Sequence, residues 1–280
     1  MSRNLEDLAN TLLRERSAQA ERDFRSSVRP IYRNSDANPR PEHAGSCILL
    51  NVDGQPILST AGHILDNLRE GFSIYVGGHG ETHPVLIRGG VLAATPMPNG
   101  SRNHDRFDCG FWKIPEEAVR ELGEVEFLEA SRLSDNSAAA EGRCYMAMGY
   151  RLAPNEHAID HQAKRISNLL SRYSGSVEMI PELAAKLGVS GAEHMFLRFP
   201  KYAQDEADRR TKAYGPVGFS GGPLLDLGDF SSEEAYYREK SRPPALSGML
   251  IEHHREHQAL VAVKIGVIVN GIRSRLGRPA

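Results

Sequence analysis

The chain has 280 residues, 40% apolar and 25% charged, which suits a globular protein with a sizeable core and excludes a disordered or fibrous one. Its formal charge of −2 at pH 7 offers no global attraction to nucleic acid or to an anionic membrane surface. Three cysteines, Cys47, Cys109 and Cys144, cannot pair completely and match no zinc spacing, and no apolar run is long enough to span a bilayer, so a reduced, cytoplasmic protein is expected.

Leu5, Leu8, Leu12 and Leu13 recur at helical spacing among charged residues, which predicts an amphipathic helix over residues 4–24. Residues 29–43 hold three prolines with Asn and Asp, and read as a linker or extended arm. From Cys47 the pattern changes to short apolar runs. Residues 47–52 and 56–60 flank Asp53-Gly54, a favourable hairpin turn. Further strands are expected at residues 72–76, 84–94, 109–114, 144–149, 195–199, 223–227, 245–251 and 260–269. Residues 161–173 and 181–187 read as helical and would interrupt the second half. Many short strands with few helices between them predict an all-β fold, as paired antiparallel barrels or a sandwich.

Three places carry chemistry. Gly218-Phe219-Ser220-Gly221-Gly222-Pro223 sets a serine among glycines, where a carbonyl can approach closely and backbone N–H groups can meet a developing oxyanion. The pattern G-x-S-x-G also describes the nucleophile elbow of α/β-hydrolases, so the motif by itself leaves two enzyme classes open. Ser59-Thr60-Ala61-Gly62-His63-Ile64 ends an expected strand with a histidine flanked by small residues, a setting for a general base. Asp108 precedes the apolar strand Cys109-Gly110-Phe111-Trp112-Lys113-Ile114, where a buried carboxylate can fix an imidazole's tautomer; Asp105 is the second candidate acid. Taken singly, His63 reads equally as a turn histidine and Asp108 as a strand-entry residue bonding its own backbone.

Other clusters point to less. Glu252-His253-His254-Arg255-Glu256-His257 holds three histidines, but on an expected hairpin loop rather than one helix face, so no metal site is assigned. His157 with His161, and His79 with His83, lack a third ligand. Gly77-Gly78-His79-Gly80 lacks the Lys-Ser/Thr of a phosphate loop. The basic stretches at residues 209–212 and 273–278 read as solvated surface. No cofactor is implied.

In their order along the chain, the three motifs resemble those of the trypsin/chymotrypsin-like serine peptidases, over residues 44–272. Residues 59–63 are similar to that family's T-A-A-H motif with Gly62 for the second alanine, residues 108–114 to its aspartate motif, and residues 218–223 to its G-D-S-G-G-P motif. Residues 246–251 resemble the strand that runs beside the substrate. The order His63, Asp108, Ser220 is the chymotrypsin order, whereas α/β-hydrolases run Ser, Asp/Glu, His. The resemblance implies two antiparallel six-stranded β-barrels. Residues 1–43 would form a helix and arm, residues 44–130 the first barrel, and residues 131–280 the second, with a helical insertion at about 155–195. It further implies an endopeptidase acting on protein or peptide substrates, with Ser220 as nucleophile, His63 as base and Asp108 as its orienting acid. The N–H groups of Gly218 and Ser220 would bind the oxyanion. Tyr214 would lie at the base of the specificity pocket, beside Ile251, Glu252 and His253, without the acid that selects Arg or Lys.

The chain also departs from that pattern. Phe219 stands where secreted members carry an aspartate that pairs with a newly freed N-terminus, so activation by N-terminal insertion is not expected. Ile64 follows His63 where a disulfide cysteine would be usual. Both departures suggest a bacterial-type intracellular member, a regulated effector in stress or defence whose N-terminal helix would dock a protein partner. The alternative is a protease-like fold kept as a non-catalytic binding or scaffold module.

Overall fold

A computed structural model of the chain describes residues 2–37, 39–78, 80–102, 105–136, 142–152, 159–160, 165–204, 209–239 and 241–277. The first half contributes strands β1 (Val28–Asn34), β2 (Glu42–Val52), β3 (Gln55–Ala61), β4 (Ser73–Val76), β5 (Gly80–Thr82), β6 (Val85–Leu86), β7 (Val91–Ala94) and β8 (Cys109–Lys113). All but β5 join a seven-stranded antiparallel sheet in the order β6-β4-β1-β2-β3-β8-β7. The β2–β3 hairpin turns through Asp53 (φ 52°) and Gly54 (φ 77°), the left-handed pair that a type I′ turn requires.

The second half contributes β9 (Arg143–Tyr150), β10 (Ile159–Asp160), β11 (Arg165–Asn168), β12 (Leu170–Ser176), β13 (His194–Arg198), β14 (Tyr202–Gln204), β15 (Arg210–Lys212), β16 (Pro223–Asp229), β17 (Ala245–His254) and β18 (Ala259–Lys264). Six of these form an antiparallel sheet ordered β12-β9-β16-β17-β18-β13, and a bridge between Val177 and Leu197 brings its two edges together. Strand β10 pairs with β11, which pairs in turn with β5 from the first half, and β14 pairs with β15. The result is mostly β, with two curled half-barrels, the first of seven strands rather than the expected six.

Four sequence expectations are corrected. Residues 28–34 form a buried central strand instead of an arm. Pro30 is tolerated there because its carbonyl accepts from Gly77 N (2.9 Å), so the side of the strand lacking a donor faces the end of β4 rather than β2. Residues 165–168 and 170–176 are strands, although Ile166, Leu169, Leu170 and Tyr173 recur at helical spacing. Pairing of β12 with β9 along Leu170–Ser176 overrides that local pattern, leaving Pro181–Leu187 as the helix of the insertion among its described residues. The apolar run after β18 does not continue as strand: Ile265–Arg275 is a helix that buries Ile265, Ile268, Val269 and Ile272, at helical intervals. The expected strand over residues 84–94 is split into β6 and β7.

The N-terminal helix (Ser2–Phe24) lies against the second sheet. It buries Leu12, Ala20 and Phe24, and Arg16 Nε donates to the Leu227 carbonyl (3.1 Å). The main apolar core draws Ile48, Leu50 and Phe111 from the first sheet and Met146, Met148, Leu225, Met249 and Val263 from the second, so the halves share one interior.

Candidate active site

The end of β3 passes directly into a short helix (Gly62–Arg69), which places His63 in its first turn. Asp108 sits just before β8, which pairs with β3 through Ala61↔Cys109. The pairing brings the two residues together although they are 45 positions apart: His63 N donates to Asp108 Oδ1 (2.8 Å), and His63 Nδ1 shares a proton with Asp108 Oδ2 (2.6 Å). The carboxylate is 4% exposed and the imidazole 44%, so a buried carboxylate holds an imidazole that reaches solvent. Asp108 adopts φ 40°, a left-handed conformation held in place by Gly62 N, which donates to its carbonyl (2.7 Å).

Asp105 is not the orienting acid. It accepts from Arg102 Nη1 (2.5 Å) and from the Thr95 hydroxyl, facing away from His63. Arg102 also grips Asp66 through Nε (2.7 Å) and Nη2 (2.9 Å), and its Nε lies 3.9 Å from Asp108 Oδ1. The hydrogen bond from Arg102 holds the Asp66 carboxyl below its ordinary value. Burial works against the Arg102 charge, but its bonds to Asp66 and Asp105 outweigh that cost and push its pKa up.

Ser220 lies in the loop before β16, with its hydroxyl donating to the Ile251 carbonyl (3.2 Å). The first sheet clamps this loop through Ser46 on β2. Ser46 N donates to the Ser220 carbonyl (2.9 Å) and Ser46 Oγ to the Gly218 carbonyl (2.8 Å), while Oγ accepts from Tyr150 N (2.9 Å). Thr60, three residues before His63, donates to the Ser46 carbonyl (2.7 Å), which ties the histidine's strand to the same clamp.

Two glycines are obligatory here. A Cβ on Gly218 (φ 97°) would lie 2.4 Å from the Tyr150 carbonyl oxygen, and one on Gly221 (φ 83°) 2.0 Å from that of Ser46. The Val217 carbonyl is drawn away by Leu152 N (2.9 Å), and the N–H groups of Gly218 and Ser220 donate to no protein acceptor among the described residues. Phe219 is 4% exposed and packs among Tyr145, Met195, Leu224 and Leu250. Burial of that ring anchors the loop to the second sheet. Against Gly218 lies His43, 8% exposed, with both ring nitrogens unpartnered among the described residues and its pKa lowered to about 4 by burial.

The expected pocket residues scatter. Tyr214 is 70% exposed and stacks under Arg151, 4.0 Å from its guanidinium carbon, so it lines no enclosed pocket. Ile251 is buried beside the serine. Glu252 pairs with His254 Nε2 (2.5 Å), and His253 stands edge-on to Phe199 (5.5 Å), its pKa lowered chiefly by burial. Among the described residues no cluster has the makings of a metal site. His79, His157 and His161 lie outside them. The cysteines are free thiols, and burial pushes that of Cys47 up to about 12. No helix among the described residues is long and apolar enough to cross a membrane.

No family model and no curated protein matches the chain. Solved structures do resemble it. A serine endoprotease from Yersinia pestis is 12% identical with a TM-score of 0.50, over 93% of this chain and 67% of that one. A Glu endopeptidase in complex with MPD is 13% identical with a TM-score of 0.48, over 91% of this chain and 92% of that one. The active form of a protease from M. tuberculosis is 12% identical with a TM-score of 0.47, over 92% of this chain and 84% of that one. At such identity the likeness speaks for the fold: the chain has the double β-barrel of a chymotrypsin-like serine protease.

Proposed function

We propose that the protein is a serine endopeptidase. The observation that carries this reading is the buried Asp108 carboxylate bonded at 2.6 Å to Nδ1 of an exposed His63, which follows the strand that Thr60 ties to Ser46, the residue that fixes the Ser220 loop. In the reaction, His63 Nε2 takes the Ser220 proton as Oγ adds to the scissile carbonyl, and Asp108 stabilises the resulting imidazolium. The N–H groups of Gly218 and Ser220 receive the oxyanion. Collapse of the tetrahedral intermediate passes the proton from His63 to the leaving amine. Water then repeats the sequence on the acyl-enzyme. A fluorophosphonate probe should label the wild type at Ser220 and leave Ser220→Ala unlabelled; an unreactive wild type refutes the reading.

One observation favours the second reading, a binding or scaffold module. Ser220 Oγ donates to the Ile251 carbonyl, so its proton is engaged away from the base. That reading predicts partner binding unchanged by Ser220→Ala and no labelling of the wild type. As a regulated effector, the protein would meet a partner through the outer face of the N-terminal helix, where Glu15 and Arg22 are exposed, because the inner face covers its own barrel. Charge reversal at Glu15 and Arg22 should then abolish partner-dependent activation, whereas deleting the helix would remove Ala20 and Phe24 from the shared core and destabilise the barrel.

A further inference from the structure

Beside the Asp108 segment, a cavity of about 240 Å³ opens between the C-terminal helix (Ile265–Arg275) and the first sheet. Phe107, Cys109 and Phe111 wall one side, and Val267, Ile268 and Ile272 the other. Cys109 contributes no polar handle, since its thiol already donates to the Phe107 carbonyl (3.0 Å) and burial holds it protonated. The interior is therefore apolar and offers nothing to hold a cluster of waters.

The same helix face supplies a cation. Ile268, Gly271, Ile272 and Arg275 follow one another at helical spacing, which puts Arg275 over the cavity it helps to line. Its neighbour Arg273 is paired with Asp53 (2.9 Å), but Arg275 has no carboxylate partner among the described residues. Gly271 deepens the opening, because a Cβ there would meet no atom within 4 Å.

We propose that this cavity is a binding site for a medium-chain carboxylate, with the alkyl chain among Phe107, Phe111 and Ile268 and the head group on Arg275. Packed at protein density of about 0.74, a cavity of about 240 Å³ holds an unbranched chain of roughly ten carbons. The occupant would touch Phe107 and Cys109, the residues on either side of Asp108. This assignment does not depend on the protease reading.

Titration calorimetry of the full chain with sodium decanoate, below its micellar range, tests the site. One decanoate should bind per chain. Octanoate should bind on the order of tenfold more weakly, as two fewer buried methylenes require, and hexadecanoate should gain nothing over decanoate. Gly271→Leu, which fills the cavity and favours the helix, should abolish binding while the denaturation midpoint is kept or raised. Arg275→Gln should weaken decanoate by about three- to tenfold and leave decanol unaffected. Absent saturable binding, or binding indifferent to Gly271→Leu, overturns the site. Equal affinity for decanoate and decanol overturns the carboxylate assignment.

Discussion

Acid should destabilise the protein through His43, whose two ring nitrogens are buried without hydrogen-bond partners among the described residues, against Gly218 in the Ser220 loop. Its pKa falls from 6.5 in the unfolded chain to about 4 in the fold, so the unfolded state binds the extra proton first. Stability from this group is complete above the unfolded value and is lost as pH falls toward the folded one. Working the linkage through, acidification from about pH 7.5 to 5 removes about 2 kcal/mol, approaching about 3 kcal/mol below pH 4. Tyr32, whose ring lies 5.4 Å from that of His43, stays neutral throughout, because burial raises its pKa. His194 and His253 are shifted downward too, chiefly by burial, so wild type alone cannot isolate the effect. The assay is urea denaturation at several pH values for wild type against His43→Leu and His43→Phe. Both variants lose no hydrogen bond and should show a pH slope shallower by up to about 1.4 kcal/mol per unit between pH 6 and 4.5. If both keep the wild-type slope, His43 is not a buried neutral imidazole and the reasoning fails.

Other perturbations probe the supports of the site. Phe219→Asp places an unpaired carboxylate in the second core and should cost roughly 3–5 kcal/mol and abolish probe labelling, whereas Phe219→Leu should keep both; a stable, reactive Asp variant would show that burial does not anchor the loop. Arg102→Met removes the cation 3.9 Å from Asp108 and should lower kcat on the order of 10- to 100-fold with little change in KM, measured on a peptide substrate; a change confined to KM would assign Arg102 to substrate binding instead. Arg143, 4% exposed between Asp226 (2.7 Å) and Glu239 (2.6 Å), leaves two carboxylates uncompensated when replaced by Met. That substitution should cost about 3–5 kcal/mol by urea denaturation, and a loss below about 1 kcal/mol would mean that the carboxylates are solvated or protonated.

What could be read from the sequence was local. The Asp53-Gly54 turn, the strand before His63 and the glycines around Ser220 carry their constraints in neighbouring residues, and each lies where the pattern placed it. The elements that went astray were decided by distant pairing. Pro30 argued against a central strand until the end of β4 was known, and the β-branched run Ile265–Val269 suited strand or helix alike. Supports of the site were hidden for the same reason. Ser46 meets Gly218 across 172 positions and Arg102 meets Asp66 across 36, with no motif around either residue. Tyr214, which the resemblance puts at a pocket base, is 70% exposed and stacks on Arg151, a contact with no signal in the residues around it.

The clamp from Ser46 has a consequence for biosynthesis. A ribosome releases residues 28–113 first, so His63 and Asp108 can take up their mutual bond before the segment carrying Ser220 is made. The loop around Ser220 finds its hydrogen-bond partners on β2 only after β9 and β16 have joined the shared core. A nascent or truncated chain would thus hold His63 and Asp108 without a reacting serine. On the proposed reading, the site would therefore assemble only once the second sheet has formed.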